Sequence, residues 1–250
     1  MLNSDEPSPL KLLRTALRGP KGQGALYANA AVQDEVTVLW FEPRYWISRE
    51  AVVARHQGRN GMALVFERGG RRYVLRHYRR GGLAARFSHD DYLWLGPART
   101  RSLAELRLLL RLHADGLPVP RPVAARYEQS GIAYRADLIT EELPETQTLA
   151  QCLAERELGL TSWTAIGRCI RRFHDYGLCH ADLNAHNILL RGEEEVFLID
   201  FDRAGLRAKP GLWRDANIAR LRRSLDALED VSGERRCGDI EWQCLLAAWL

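Results

Sequence analysis

Three side chains in one short stretch have the types and spacing that phosphoryl transfer requires. Asp182 stands two residues after His180, Asn187 follows five residues later, and Asp200 lies thirteen beyond that, after the apolar run Phe197-Leu-Ile. In that chemistry one carboxylate orients the attacking hydroxyl and accepts its proton. An amide oxygen and a second carboxylate hold Mg²⁺ on the nucleotide phosphates. Read singly, Asp182 is a helix cap, Asn187 a turn former and Asp200 a strand-end carboxylate. Read together, with apolar residues in register around them, they favour the catalytic assignment. Asp182 is then the base, His180 the residue that orients the loop, and Asn187 and Asp200 the metal ligands. His174 and His186 are expected to be structural, since neither has a second ligand at metal-site spacing.

Such a constellation needs a scaffold. With 250 residues, 46% hydrophobic and 27% charged, the chain has enough material for one large domain or two small lobes around a cleft. No apolar run reaches the length of a membrane-spanning helix, and charges break up any signal-peptide core near the N-terminus. The five cysteines form no CxxC pair, which fits a reducing compartment. Of the 36 basic residues, 33 are arginine. They concentrate in residues 68–86 and 207–223, so the expected partners are anionic: phosphates, a membrane surface or nucleic acid.

Residues 1–35 read as a peripheral segment. Ser8-Pro9 followed by Leu10, Leu13 and Leu17, with Lys11, Arg14 and Arg18 between them, predicts a short amphipathic basic helix. Residues 36–143 read as β-rich. Val36–Phe41 is an expected strand, and Met62–Glu67 and Arg72–His77 flank Gly69-Gly70 as a hairpin. A helix over 102–114, with Leu103, Leu106, Leu109, Leu110 and His113 on one face, ends before Pro118, Pro120 and Pro122. Strands are expected at Val123–Tyr127 and Ala133–Thr140. Residues 144–250 read as helical, interrupted by a hairpin over Asn187–Asp200. A helix from Thr161 or Ser162 stops at Gly177, and two more occupy about 213–229 and 238–249.

His180-Ala-Asp182-Leu-Asn-Ala-His-Asn187, with the later Ile199-Asp200-Phe-Asp202, resembles the catalytic and metal-binding motifs of the protein-kinase-like superfamily. The implied fold is α+β and bilobal: a β-rich N-lobe over 36–143 and a helical C-lobe over 144–250. The resemblance makes Arg55–Gly61, with Gly58 and Gly61, the candidate loop over the nucleotide phosphates. It also makes Arg76 the counterpart of the usual strand lysine and Glu105 its partner. The alternative for Glu105 is a capping box with Ser102.

Asp200-Phe-Asp202 in place of DFG, and the absence of APE, point away from regulated protein kinases. Leu75–Gly82 (LRHYRRGG), Leu198–Ala204 (LIDFDRA) and Trp213–Leu225 (WRDANIARLRRSL) are similar to the 3-deoxy-D-manno-octulosonic acid (Kdo) kinases of the lipopolysaccharide kinase family. That resemblance implies ATP and Mg²⁺ as cofactors. It implies the 4-hydroxyl of Kdo on Kdo–lipid A as acceptor, at the cytoplasmic face of an inner membrane, with no role for nucleic acid. Arg203, Arg207, Arg214 and Arg223 are candidate acceptor contacts. A core-heptose or other small-molecule kinase, and a nucleotide-binding pseudokinase, stay open as alternatives.

Overall fold

The computed structural model describes residues 11–19, 22–32, 35–58, 61–78, 92–228 and 237–250. It is a mixed α/β structure that divides into two compact units. The first runs up to Ala114 and takes up Arg121–Glu142, and the second comprises Asp115–Pro120 and Leu143–Leu250.

The first unit is built on an antiparallel sheet of eight strands. These are β1 (Leu12–Gly19), β2 (Gly22–Asn29), β3 (Val52–Gly58), β4 (Gly61–Arg68), β5 (Arg71–His77), β6 (Tyr92–Leu93), β7 (Pro122–Ser130) and β8 (Ala133–Glu141). Their order is β1-β2-β7-β8-β5-β4-β3, with β6 added onto β8. The β4–β5 hairpin turns at Gly69 and Gly70, with φ of +59° and +73°, as expected from two adjacent glycines. Helix α2 (Arg101–Ala114) packs on β7 and β8 through Leu103, Leu106, Leu109 and Leu110, all buried. Leu112 completes that face, and His113, expected on it, is exposed.

Two expectations fail here for local reasons. Residues 12–19 form β1, paired with β2 from Leu12↔Asn29 to Gly19↔Gly22, and not an amphipathic helix. The spacing Leu13–Leu17 serves a strand as well as a helix, and pairing with β2 decides between them. Ser8, Pro9 and Leu10, which carried the helix start, lie outside the described residues. Val38–Phe41 is a 3₁₀ turn leading into α1 (Pro43–Ile47), not a strand. A strand would send the adjacent Trp40 and Phe41 to opposite faces. The turn lets both be buried, and Trp40 packs with Trp46, Phe66 and Tyr73, the Trp46 and Phe66 rings stacked 4.0 Å apart. Arg126, buried beside them, is satisfied by Asp137 at 2.9 Å and Glu42 at 2.6 Å.

The second unit is organised around α4 (Leu160–Asp175), whose Trp163, Ile166, Ile170 and Phe173 are buried. Its start lies one residue before the expected one, and Gly177 ends it at φ +89°. Helix α3 (Leu149–Glu155) precedes it, capped by Thr148 and Gln151. Strands β9 (Gln147–Thr148), β11 (Ile188–Arg191) and β12 (Glu195–Leu198) form one small sheet, and β10 (Leu178–Cys179) pairs with β13 (Gly205–Leu206). Helix α5 (Trp213–Asp226) follows, and α6 (Asp239–Trp249) packs on α4. The approach is close at Gly167, where a Cβ would lie 2.3 Å from the Leu245 carbonyl oxygen.

His174 sits under that contact, 2% exposed, with its ring edge-on to Trp213 and Trp249. Its Nδ1 accepts from the Trp249 indole at 2.8 Å. Burial pushes its pKa down to about 4, against about 6.5 in an unfolded chain. Below pH 6.5 the unfolded state therefore takes up a proton that the folded state refuses. Stability from this group is complete above pH 6.5 and falls as the pH drops toward 4, by roughly 3 kcal/mol in all. In urea unfolding at pH 7 and pH 4.5, His174→Phe should lose about 2 kcal/mol less between the two pH values than the wild type. Equal losses would place the acid sensitivity elsewhere.

Candidate active site

The loop between β10 and β11 holds His180, Asp182 and Asn187. His180 is buried, and its ring joins two segments. Nδ1 accepts from the Asp182 backbone N–H at 3.2 Å, and Nε2 faces the Ile199 carbonyl at 3.0 Å. An accepting Nδ1 makes Nε2 the protonated nitrogen, so the ring is the neutral tautomer. Burial, the largest influence, also lowers its pKa. The Asp182 carbonyl accepts from Asn184 Nδ2 at 3.0 Å and Asn187 Nδ2 at 2.9 Å. The Asn187 carbonyl in turn accepts the Ile199 N–H at 3.1 Å. These bonds bring the segment ending in Asp200 alongside the loop. Asp200 and Arg203 take φ of +64° and +62°, a left-handed backbone that is unfavourable for non-glycine residues. Between them Phe201 is buried against Phe173 and His180.

Helix α5 secures the loop from another side. Asn217 Oδ1 accepts the His180 N–H at 3.0 Å, and its Nδ2 donates to the His180 carbonyl at 3.0 Å. Ser224 Oγ accepts the Ala185 N–H at 3.1 Å. Between these, Arg220 donates to Asp182 Oδ1 through Nε at 2.8 Å and also through Nη2. For Asp182 burial is the largest influence and would raise the pKa. Hydrogen bonds from Arg220 and Asn184 and the Arg220 charge outweigh it and hold the carboxyl below its ordinary value.

Asn217, Arg220 and Ser224 are the residues that sequence reading missed. Their spacing of three and four places them on one helix face, beside the buried row Ile218, Leu221 and Leu225. That polar row inside WRDANIARLRRSL was the available signal. Arg214, expected as an acceptor contact, instead donates to the His174 carbonyl at 2.6 Å and to Asp175 at 3.1 Å. It satisfies the end of α4, where cations are favoured. Arg203, Arg207 and Arg223 are exposed.

The first unit carries the remaining candidates. Glu105 on α2 is 3% exposed, accepts from Arg76 Nη2 at 3.0 Å and accepts from the Tyr78 hydroxyl. Ser102 donates to the Arg126 carbonyl at 3.0 Å, so it forms no capping box with Glu105. The Arg76 guanidinium lies 5.3 Å from the Tyr78 ring centre. Gly58 and Gly61 pair with each other as the last register position before the β3–β4 connection, and residues 59 and 60 lie outside the described residues.

The pattern that defines the lipopolysaccharide kinase (Kdo/WaaP) family matches residues 44–249. A 3-deoxy-D-manno-octulosonic acid kinase of Stenotrophomonas maltophilia (strain K279a) is 43% identical over 238 residues, 91% of this chain and 94% of that protein. Proteins of the same name from Xylella fastidiosa (strain M12) and Xanthomonas campestris pv. campestris (strain B100) are 42% and 43% identical. They cover 88% and 91% of this chain, and 91% and 89% of their own lengths. The likeness takes in both units and runs through the His180–Asn187 loop and α5, so the chain belongs to the lipopolysaccharide kinase (Kdo/WaaP) family.

Proposed function

We propose that this chain is an ATP-dependent Kdo kinase of lipopolysaccharide biosynthesis. Its reaction moves the γ-phosphoryl group onto the 4-hydroxyl of Kdo on Kdo–lipid A. The observation that carries this reading is the clamped loop of Asp182 and Asn187 beside Asp200, in a chain 43% identical to a named Kdo kinase over most of its length.

Asp182 orients the acceptor hydroxyl and takes its proton as the oxygen attacks phosphorus. In a loose transition state the proton moves late, so a carboxylate of low pKa suffices. Asn187 turns its Nδ2 to the Asp182 carbonyl, which leaves its amide oxygen to serve as a metal ligand. Among the described residues no three His, Cys, Asp or Glu side chains gather into a metal cluster. The two oxygens of Asn187 and Asp200 suit a Mg²⁺ ion that keeps its other positions for phosphates and water. When bound there, the ion neutralises charge on the nucleotide phosphates. Arg76, aimed by Glu105, binds nucleotide phosphate in the role that lysine fills in related kinases, with a fork in place of a point charge.

The acceptor is a lipid, so this reading includes peripheral contact with the cytoplasmic face of the inner membrane. No helix among the described residues is long and apolar enough to cross a membrane. Support for surface contact comes from the stretch after β13. Leu212 is 85% exposed and follows the exposed Leu206, Arg207 and Lys209 in the chain. Trp213 closes this turn by donating to the Lys209 carbonyl at 3.1 Å. An exposed apolar side chain close in sequence to exposed cations suits an anionic lipid surface.

Asp182→Asn should abolish transfer while Mg²⁺·ATP still binds, and Asp200→Asn should weaken that binding itself; calorimetric titration of both variants separates the roles. Equal binding loss in the two would overturn the assignment. Arg76→Ala should lower kcat/KM about a hundredfold or more, and Arg76→Lys should recover only part of it. Full activity of the alanine variant would remove Arg76 from the site. Leu212→Glu should weaken binding to vesicles rich in phosphatidylglycerol about tenfold, since it replaces an inserting side chain with a repelled one. Unchanged vesicle binding would place membrane contact on another surface. Mass spectrometry of Kdo–lipid IVA after incubation should find one added phosphate, located on Kdo.

A further inference from the structure

Arg220 is the cation nearest the proposed base, and the reaction as derived gives it no task. Its position is fixed. Asn217 holds α5 to His180 three residues before it, and Ser224 holds α5 to Ala185 four residues after it. The guanidinium therefore stands at a set place relative to the Asp182 carboxylate. Its hydrogen bonds among the described residues go to Asp182 alone, with Nε and Nη2 converging on the single oxygen Oδ1. The pair is also open to solvent, with side-chain exposures of 46% for Arg220 and 33% for Asp182. A ligand can reach both partners.

This arrangement is unproductive as it stands. The oxygen that should receive the acceptor's proton already holds two N–H donors from Arg220. We infer that Arg220 is the acceptor-reading residue: the carboxylate of the incoming sugar acid replaces Asp182 as its partner and so frees Asp182 for the hydroxyl. The inference rests on the Kdo kinase reading.

The exchange is like for like. One carboxylate leaves the guanidinium and another arrives, so no charge-assisted contact is lost from the site. The acceptor oxygen then forms its bond to the γ-phosphorus as the bond to the β–γ bridging oxygen breaks. The bridging electron pair leaves on ADP, and the hydroxyl proton passes to Asp182. A neutral sugar brings hydroxyl groups that Asp182 can bind, but it offers no anion to Arg220. Productive binding would then leave Arg220 without its partner, and selection against neutral acceptors follows from that penalty. A nucleotide phosphate is the other anion that a guanidinium fork fits, and the kinetics below tell the two apart.

The test uses the full chain with two acceptors in detergent: Kdo–lipid IVA, and the same lipid with the Kdo carboxyl converted to its methyl ester. Wild type, Arg220→Gln and Arg220→Lys are assayed with each. Wild type should prefer the acid over the ester by about tenfold to a hundredfold in kcat/KM. Arg220→Gln should lose that preference, with acid and ester within about threefold, and the loss should fall on the acceptor KM with the affinity for Mg²⁺·ATP kept. Arg220→Lys, which keeps the charge, should retain a reduced preference, and this separates lost recognition from a damaged fold. A wild-type preference that survives in Arg220→Gln overturns the inference alone, as does a loss confined to the KM for ATP. No transfer by the wild type to either acceptor overturns the functional reading and the inference together.

Discussion

The neutral ring of His180 joins the loop that carries Asp182 to the strand end that carries Asp200. One nitrogen accepts and the other donates, so a protonated ring would break one of the two bonds. Burial removes that hazard by disfavouring the charged form. Asn217 then binds both backbone polar groups of the same residue, its amide supplying one acceptor and one donor. A residue whose ring and backbone are all engaged cannot shift without exposing buried polar groups. The positions of Asp182, Asn187 and Asp200 follow from this anchor.

Much of this was legible in the sequence. The spacing of His180, Asp182, Asn187 and Asp200 marks them as one candidate site, and the structure joins the loop of the first three to the segment that ends in Asp200. The helical row Leu103, Leu106, Leu109 and Leu110 and the double glycine at 69–70 are strong local signals, and the structure follows both. The pairing of Arg76 with Glu105 was also readable, once a strand and a helix were granted. The roles of these side chains in nucleotide binding are proposals drawn from that placement.

What could not be read depends on contacts between distant parts of the chain. The segment from Leu12 has leucines four apart, and only the partner strand β2 decides that it is extended. Val38–Phe41 looks like a strand until the core requires two adjacent aromatic rings on one side. Arg214 and Arg220 are indistinguishable as letters in a basic helix. One lands on the end of α4 and the other on Asp182 because six residues of helix leave them roughly 120° apart around the axis. Helix periodicity predicts that they share no partner, and tertiary packing alone says which of them meets the site.

The division into two units does not follow the order of the chain. Asp115–Pro120 belongs to the second unit, yet it is flanked on both sides by segments of the first. It is held there by Leu198 N–H to the Pro118 carbonyl at 3.1 Å, by Arg172 to the Gly116 carbonyl at 2.6 Å and by Tyr176 to Asp115. A genetic crossover near position 142 would supply this six-residue piece from one parent and all of its partners from another. Tyr176, Arg172 and Leu198 would have to meet a foreign strand of chain. A single breakpoint that passes on the second unit whole must fall before Asp115, and it then carries Arg121–Glu142 of the first unit with it, so no single breakpoint parts the two units cleanly.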